Sequence, residues 1–352
     1  MKIHILYDFK DQPWGGGNQF LKALKSEFEK QNVYEEEANK ANVILFNSYP
    51  FKAEHLFNQI FELKQRYPNK TIVYRLDGPI SFVRGRDREI DKIITLFNNL
   101  FVDGVIFQSE WCREQNKKYF DIASKYETVI HNAPDNRIFN KDGKQKFNTK
   151  GKTKLIATSW SPNWRKGFEI YKYLDENLDF SKYEVTFVGS SPIKFKNIKW
   201  IKPVPSEKLA DILEEHDIFV TASKNDPCSN SLIEALSCGL PAVALNDGGH
   251  PELVGNGGEL FEGENDVIGK IEKVVQNYSH YQSEISKFFI KEVAKGYYGF
   301  AEKIYSDVQN ERYEPKQVSF FIRVKFYKMK LMVLRWKVKN KLGVTRRRIW
   351  KI

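Results

Sequence analysis

The chain has 352 residues, 41% hydrophobic and 29% charged, a globular composition long enough for two α/β units. Of its 56 bases, 13 lie between residues 315 and 352, a stretch without Asp or Glu; the remaining 43 bases meet 45 acids, so the body lacks the charge for a nucleic-acid partner. Three scattered cysteines, Cys112, Cys228 and Cys238, are too few for a disulfide scaffold or a zinc site, and no run of about 18 apolar residues spans a membrane.

The start, Met1-Lys-Ile-His-Ile-Leu-Tyr, turns polar too soon for a signal peptide and fits a cytoplasmic chain. In chain order, short β-branched runs alternate with helical patterns. The predicted strands of the first half are Ile3–Tyr7, Val43–Asn47, Thr71–Leu76, Gly104–Gln108 and Thr128–His131. Between them lie predicted helices over Gln19–Glu29, Glu54–Arg66, Glu89–Leu100 and Glu110–Phe120. Asn140–Lys152 has the polar composition of a linker. Strands then resume at Lys154–Thr158, Glu184–Val188, Ile218–Ala222, Pro241–Leu245 and Gly258–Phe261, with helices over Phe168–Asn177, Ser206–Glu215, Ser231–Cys238 and Asp266–Gln276. The βαβα order predicts parallel sheets covered on both faces, hence two Rossmann-like domains, 1–150 and 151–296, facing across a cleft. A helix in 297–314 is expected to pack back on the first domain, ahead of a basic tail over 315–352.

Ligands of such sheets bind outside the carboxyl ends of the strands, so the residues just after each strand matter. After Ile3–Tyr7 comes Pro13-Trp14-Gly15-Gly16-Gly17-Asn18, glycines that let a backbone approach a ligand at a helix start. Asp77, in Arg75-Leu-Asp77-Gly78-Pro79, ends the third strand; an ordinary Asp-Gly-Pro turn is the competing reading. Gln108-Ser109-Glu110-Trp111 and Asn132-Ala133-Pro134-Asp135 read as structural or cleft-lining. Arg165 and Lys166 follow strand Lys154–Thr158, where a solvated basic turn competes with an anion site. The richest segment follows Ile218–Ala222. Asp226 lies in a loop, Ser229, Asn230 or Ser231 caps a helix whose N–H groups favour phosphate, and Glu234 lies eight residues after Asp226. A carboxylate at each end of an anion site suits a sugar diphosphate. Against this, Ser231-x-x-Glu234 is also a capping box and Asp226-Pro227 a turn starter. His216 and His280 read as surface or helix residues rather than catalysts.

Asp226-x7-Glu234, followed by Gly239-Leu240-Pro241 and Gly248-Gly249-His250-Pro251-Glu252, resembles the signature of the family 4 glycosyltransferases, over roughly Met1 to Val308. The resemblance implies a glycosyltransferase-B fold and retaining transfer of a hexose-type sugar from a nucleotide-sugar donor to a glycan or lipid-linked acceptor. Surface polysaccharide or glycoconjugate synthesis is the expected setting. It places Asp77 and Asp226 at the reacting sugar and Glu234 on the ribose. Gly16, Gly17, Ser229, Asn230 and Ser231 border the donor, and Lys166 clamps its diphosphate. Two departures stand out. Asp226 replaces a Glu, and Ser161 stands where the family has Arg, leaving Arg165 as the nearby substitute. No Asp-x-Asp motif is present, so no metal and no cofactor are expected; two cations would neutralise the leaving diphosphate. An epimerase of similar fold and a non-catalytic nucleotide-sugar or glycan binder are the alternatives.

In the tail, Phe320, Val324, Tyr327, Leu331, Leu334 and Val338 follow helical spacing, while Arg335, Lys337, Lys339 and Lys341 alternate as in a strand. The uninterrupted run Lys316–Leu342 favours a helix. Bases interleaved with Trp, Phe and Leu suit an anionic membrane surface, so peripheral association with the inner face of a membrane is expected. A charged helix packed on the body is the competing reading.

Overall fold

A computed structural model describes residues 1–352 apart from 12–14, 50–52, 123, 149 and 350–352, and leaves the side chains of 342–349 undescribed. Pro13 and Trp14 of the first glycine-rich loop therefore lie outside the described residues.

The first unit carries strands β1 (Ile3–Leu6), β2 (Val43–Phe46), β3 (Thr71–Leu76), β4 (Gly104–Phe107) and β5 (Tyr126–Val129) and helices α1 (Gly16–Lys30), α2 (Glu54–Arg66), α3 (Ile80–Arg84), α4 (Arg88–Phe101) and α5 (Glu110–Phe120). The second carries β6 (Thr153–Ser159), β7 (Tyr183–Gly189), β8 (Lys199–Ile201), β9 (Ile218–Thr221), β10 (Ala242–Leu245) and β11 (Gly258–Phe261). Its helices are α6 (Phe168–Asn177), α7 (Ser206–Glu214), α8 (Asn230–Ser237), α9 (His250–Val254), α10 (Val267–Gln276) and α11 (Tyr278–Ser283). Two helices follow, α12 (Ile290–Gln309) and α13 (Phe320–Ile349).

Both sheets are parallel, as the βαβα order demands. The first runs β1-β2-β3-β4-β5. Tyr34 adds a parallel bridge to Ile3 on the other edge of β1, so the chain leaves β1 in one direction and returns on its opposite side. The second runs β11-β10-β9-β6-β7-β8 and reverses between β6 and β9. These reversals are where a doubly wound sheet opens a crevice at its carboxyl edge.

Burial on both faces explains the unbroken apolar strands: Val43, Ile44, Leu45 and Phe46 of β2 are all buried. Ile44, Phe46 and Phe107 meet α2 and α4, while Val43, Leu45 and Ile106 meet α1 and α12. Helix α4 presents Ile90, Ile93, Ile94, Phe97 and Phe101 to that core at three- and four-residue spacing. In the second unit, α6, α10 and α11 cover one face of the sheet, and α7, α8 and α9 the other.

Predicted and observed elements differ mainly where they are short. Strand β8 and helices α3, α9 and α11 are three to six residues long, too brief to show a period. Helix α12 starts at Ile290, earlier than the expected 297, and Ile290, Ala294, Tyr297, Ala301 and Ile304 join the first unit's core.

The tail is a helix. Phe326, Met329 and Val333 of α13 are buried against α2 and α4, with Phe326 stacked on Phe61 at 4.3 Å between centroids. Asp103 anchors its approach, accepting the Lys316 N–H at 2.9 Å and the Tyr313 hydroxyl at 3.0 Å while paired with buried Lys64 at 2.9 Å. Among the described residues no helix is long and apolar enough to cross a membrane.

Candidate functional site

The carboxyl ends of β6 and β9 meet at the second sheet's reversal. After β6, Asn163 caps a short 3-10 turn by accepting the Arg165 N–H at 3.1 Å, and Gly167 follows with φ 89°. A Cβ on Gly167 would come 2.3 Å from the Ala222 Cβ, so only glycine lets this loop lie on the end of β9. That approach brings the Lys166 ammonium to 2.9 Å from the Asp226 carboxylate. Burial alone would raise the Asp226 pKa, but the nearby Lys166 and His250 charges hold it below the usual carboxylate value.

Helix α8 begins at the same point. Its cap, Ser229, makes no side-chain cap bond; its hydroxyl lies 3.2 Å from that of Ser231. The first N–H groups of α8 thus have no side-chain cap and carry the helix's positive end. A cavity of about 240 Å³ opens beside them, lined by Gly15 and Gly16 from the first unit and by Ser161, Lys166, Asp226, Ser229, Asn230, Ser231 and Glu234. On the other side of Asn230 and Glu234 a second cavity, about 530 Å³, takes in Gly16, Gln19, Asp135, Arg137, Pro205 and Ser206.

Glu234 stands between the two. Its side chain makes no hydrogen bond among the described residues, so the capping box it spells does not form; the backbone geometry of α8 places Glu234 beyond the first turn. Burial with no compensating partner pushes its pKa up to about 8. A buried carboxyl without a partner, facing two cavities, has its hydrogen-bonding capacity open to a ligand.

Gly16 closes the site from the first unit. It opens α1, and a Cβ there would fall 2.4 Å from the Asn230 Cβ. Gly17 has no atom within 4 Å of its Cβ position and lines neither cavity. Arg165 also lines neither cavity. Its side chain turns to the first unit, with Cδ 3.1 Å from the Cβ position of Gly85, and its Nε is buried without a partner. Ser161 keeps the cavity-wall position.

Asp77 belongs to a polar network in the first unit. It accepts from Arg75 at 2.6 Å, from Asn47 at 3.2 Å, and from Tyr49 and Gln108. It lines neither cavity. Arg75, fully buried, also donates to Gln108 at 2.6 Å and Asn132 at 2.9 Å, and Asn132 reaches Asn230 across the cleft at 3.1 Å. The network therefore ends on the α8 N-terminus. Tyr49 and Asn47 were not legible as site residues, because no local pattern marks them.

Two residues of the glycine-rich loop before α9 have definite partners. His250 is buried and donates from Nδ1 to the Leu245 carbonyl at 2.9 Å, leaving Nε2 at 3.3 Å from the Ser223 hydroxyl, which is 3.4 Å from Asp226. Burial lowers the His250 pKa. Glu252 leaves its own unit: it accepts the N–H groups of Glu110 and Trp111 at 2.8 and 2.9 Å, at the start of α5, and contacts His131 at 3.0 Å. Burial would raise its pKa, but His131 and the two N–H groups hold it low. His216 is buried and bonded to Ile212 and Thr186, away from the site and not on the surface.

Similarity to known proteins bears on the fold and on one segment of the second unit. Residues 194–288, which include Asp226, α8 and Glu252, match the model of the glycosyl transferases group 1. The GPI3 subunit of phosphatidylinositol N-acetylglucosaminyltransferase from Saccharomyces cerevisiae is 25% identical over 229 residues, 57% of this chain and 50% of that protein. The chain thus spans about half the length of the curated relatives it matches. Among solved structures, Anabaena Alr3699/HepE in complex with UDP and glucose superposes with a TM-score of 0.62 at 13% identity, covering 88% of this chain and all of that one. Sucrose-phosphate synthase from Thermosynechococcus elongatus gives 0.54 at 16% identity, covering 84% and 78%. The chain has the two-sheet glycosyltransferase-B fold, and its residues 194–288 carry the glycosyl transferases group 1 segment.

Proposed function

We propose that this protein is a retaining, metal-independent glycosyltransferase that moves a hexose-type sugar from a nucleotide-sugar donor to a glycan or lipid-linked acceptor. The carrying observation is the α8 N-terminus, set between Lys166 and Asp226 on one side and the unpartnered Glu234 carboxyl on the other. The donor diphosphate sits on the α8 N–H groups beside Lys166. Glu234 takes the ribose hydroxyls and the nucleoside extends into the 530 Å³ cavity. Asp226 meets the sugar while holding Lys166 against the diphosphate. Asp77, which lines neither cavity, holds Arg75 and through Asn132 positions the α8 N-terminus from the acceptor side. Ser161 supplies no charge, so Lys166 and the helix end neutralise the leaving group, and no metal is required. The acceptor oxygen bonds to the anomeric carbon as the bond to the diphosphate oxygen breaks, and the acceptor proton passes to that diphosphate.

Support for a UDP-sugar donor comes from a neighbour solved with UDP-glucose. A glycolipid acceptor is supported by the yeast relative, named for phosphatidylinositol. The basic segment 315–352 would then hold the protein at the anionic inner face of a membrane, with no nucleic-acid partner.

The test is a panel of nucleotide sugars screened for thermal stabilisation of the full chain, followed by product analysis with candidate acceptors under exhaustive chelation. The expected result is nucleoside diphosphate released only with acceptor, product of retained anomeric configuration, and unchanged rate with chelator. A donor epimer formed without acceptor would make the chain an epimerase, and donor left intact with every acceptor would make it a binder. Activity abolished by chelator and restored by Mg²⁺ or Mn²⁺ would overturn the metal-free scheme.

A further inference from the structure

Helix α13 carries apolar residues on two opposite faces. Phe326, Met329 and Val333 face the first unit and are buried. Phe320, Val324, Tyr327, Leu331, Leu334 and Val338 form a second stripe, stepped at three and four residues, and are between 38% and 74% exposed. At 3.6 residues per turn the stripes lie roughly 200° apart, because their positions are offset by two residues. The helix is therefore glued to the body by one face and shows an uncovered apolar ridge on the other. Helical spacing puts Lys328 and Arg335 along one flank of the ridge and Arg323 and Lys330 along the other. No acid occurs anywhere in the helix.

The turn before α4 extends the basic surface. The Trp336 indole N–H donates to Asp87 at 3.3 Å, and Lys339 pairs with Glu89 at 2.9 Å. Those contacts tie the helix to a turn that carries Arg84, Arg86 and Arg88; Arg84 and Arg86 each lie 3.6 Å from the Asp87 carboxylate, so three bases face one acid there, and Gly85 lies against Arg165 at the edge of the cleft.

We propose that the exposed ridge of α13, with the Arg84–Arg88 turn, is a bilayer-docking surface that lies in the plane of an anionic membrane and sets the cleft edge at the headgroups. Apolar side chains enter the interface while the flanking bases meet lipid phosphates; neither contribution alone suits a soluble surface or a second copy of an equally basic helix. The fixed inner face makes the dock rigid, so it orients the enzyme as well as retaining it. This deepens the acceptor side of the reading above, and it stands or fails separately from the donor chemistry.

The experiment is vesicle flotation of the full chain with phosphatidylcholine alone and with 30 mol% phosphatidylglycerol, where roughly one lipid in three is anionic, at low and high salt. Three proteins are compared: parent, the ridge variant Phe320→Ser/Leu331→Ser/Leu334→Ser, and the charge variant Arg86→Glu/Arg335→Glu. All substituted side chains are exposed, so folding is checked by an unchanged melting temperature and unchanged stabilisation by the donor nucleotide sugar. The parent should float with anionic vesicles and partly resist salt. The ridge variant should lose about tenfold in bound fraction and all salt-resistant binding. The charge variant should lose binding mainly at low salt. Flotation of the ridge variant equal to the parent's would overturn the proposal. So would absence of parent binding to anionic vesicles, or light scattering showing that the ridge variant instead turns a dimer into a monomer. Loss of donor stabilisation in the parent would sink the donor reading and leave the dock intact.

Discussion

The Lys166 ammonium lies 2.9 Å from the Asp226 carboxylate, joining a residue from the end of β6 to one from the end of β9. Two positions that read separately in the sequence, one for phosphate and one for sugar, act as one charged unit. Its formation depends on Gly167, which lets the two loops touch. The pair also offers a reason why an Asp can stand at this position: the shorter side chain is already engaged by a cation.

Lys166→Ala leaves the Asp226 carboxylate buried without its ammonium partner, which should cost about 3 kcal/mol. The sign follows from the lowered Asp226 pKa: stability from the pair is present above the unfolded carboxylate value and is lost as pH falls through the folded one. The stability gap between parent and Lys166→Ala should be full at neutral pH and shrink below about pH 4. Urea denaturation across that range measures it. A gap independent of pH would show that the ion pair does not set the difference.

Glu234→Gln should act in opposite directions on stability and on binding. With its folded pKa at about 8 against an ordinary 4.5, the carboxyl keeps its proton when folded and loses it when unfolded. The parent therefore loses stability as pH rises from 4.5 to 8, a dependence that the amide lacks. At pH 8.5 the variant should be the more stable by a few kcal/mol, at about 1.4 kcal/mol per pKa unit. It should bind the nucleotide-sugar donor about tenfold more weakly, since a charge-capable acceptor for ribose hydroxyls is gone. Calorimetric titration that finds equal donor affinity would remove the ribose assignment.

Gly16→Ala inserts a methyl group 2.4 Å from the Asn230 Cβ, where only separation of the two units relieves the clash. The expected outcome is a melting temperature close to the parent's with donor affinity down by about tenfold or more, because the cavity wall moves. The double variant Gly16→Ala/Asn230→Gly should recover most of that loss. Without such recovery, the defect belongs to α1 and not to the approach across the cleft.

Glu252→Ala removes the carboxylate that joins the second unit to the N–H groups of Glu110 and Trp111. A lost helix-terminal acceptor costs about 1–2 kcal/mol, and here the cost should appear as looser association of the units. The Glu252 pKa is lowered, so the latch works above the unfolded carboxylate value and weakens as pH falls through the folded one. Hydrogen exchange at the start of α5 should be faster in the variant at neutral pH, and in the parent once acidified. Identical exchange in both proteins at pH 7 would mean that Glu252 is not holding the units together.

Local pattern determined much of this protein. Alternating β-branched runs and helical periods specify two parallel sheets, because each strand's all-apolar run can only be satisfied by burial on both faces. Asp226, Ser231 and Glu234 were legible for the same reason: they sit in one short segment whose strand-loop-helix order says where they point. Distance in the chain hid the rest. Asn47 and Tyr49 from one segment and Gln108 from another gather on Asp77, and Glu252 finds its partners 142 and 141 residues away, so no window of sequence contains the contact. Ser231-x-x-Glu234 spelled a capping box that does not form because α8 starts at Asn230 with Ser229 at its cap, and Arg165, adjacent to Lys166, turned to the other unit because consecutive residues of a 3-10 turn face different ways. The tail shows the division most plainly. Its helical spacing was present in the residues, but which apolar stripe is buried and which is left to the solvent was decided by the α2 and α4 surface that receives Phe326, Met329 and Val333.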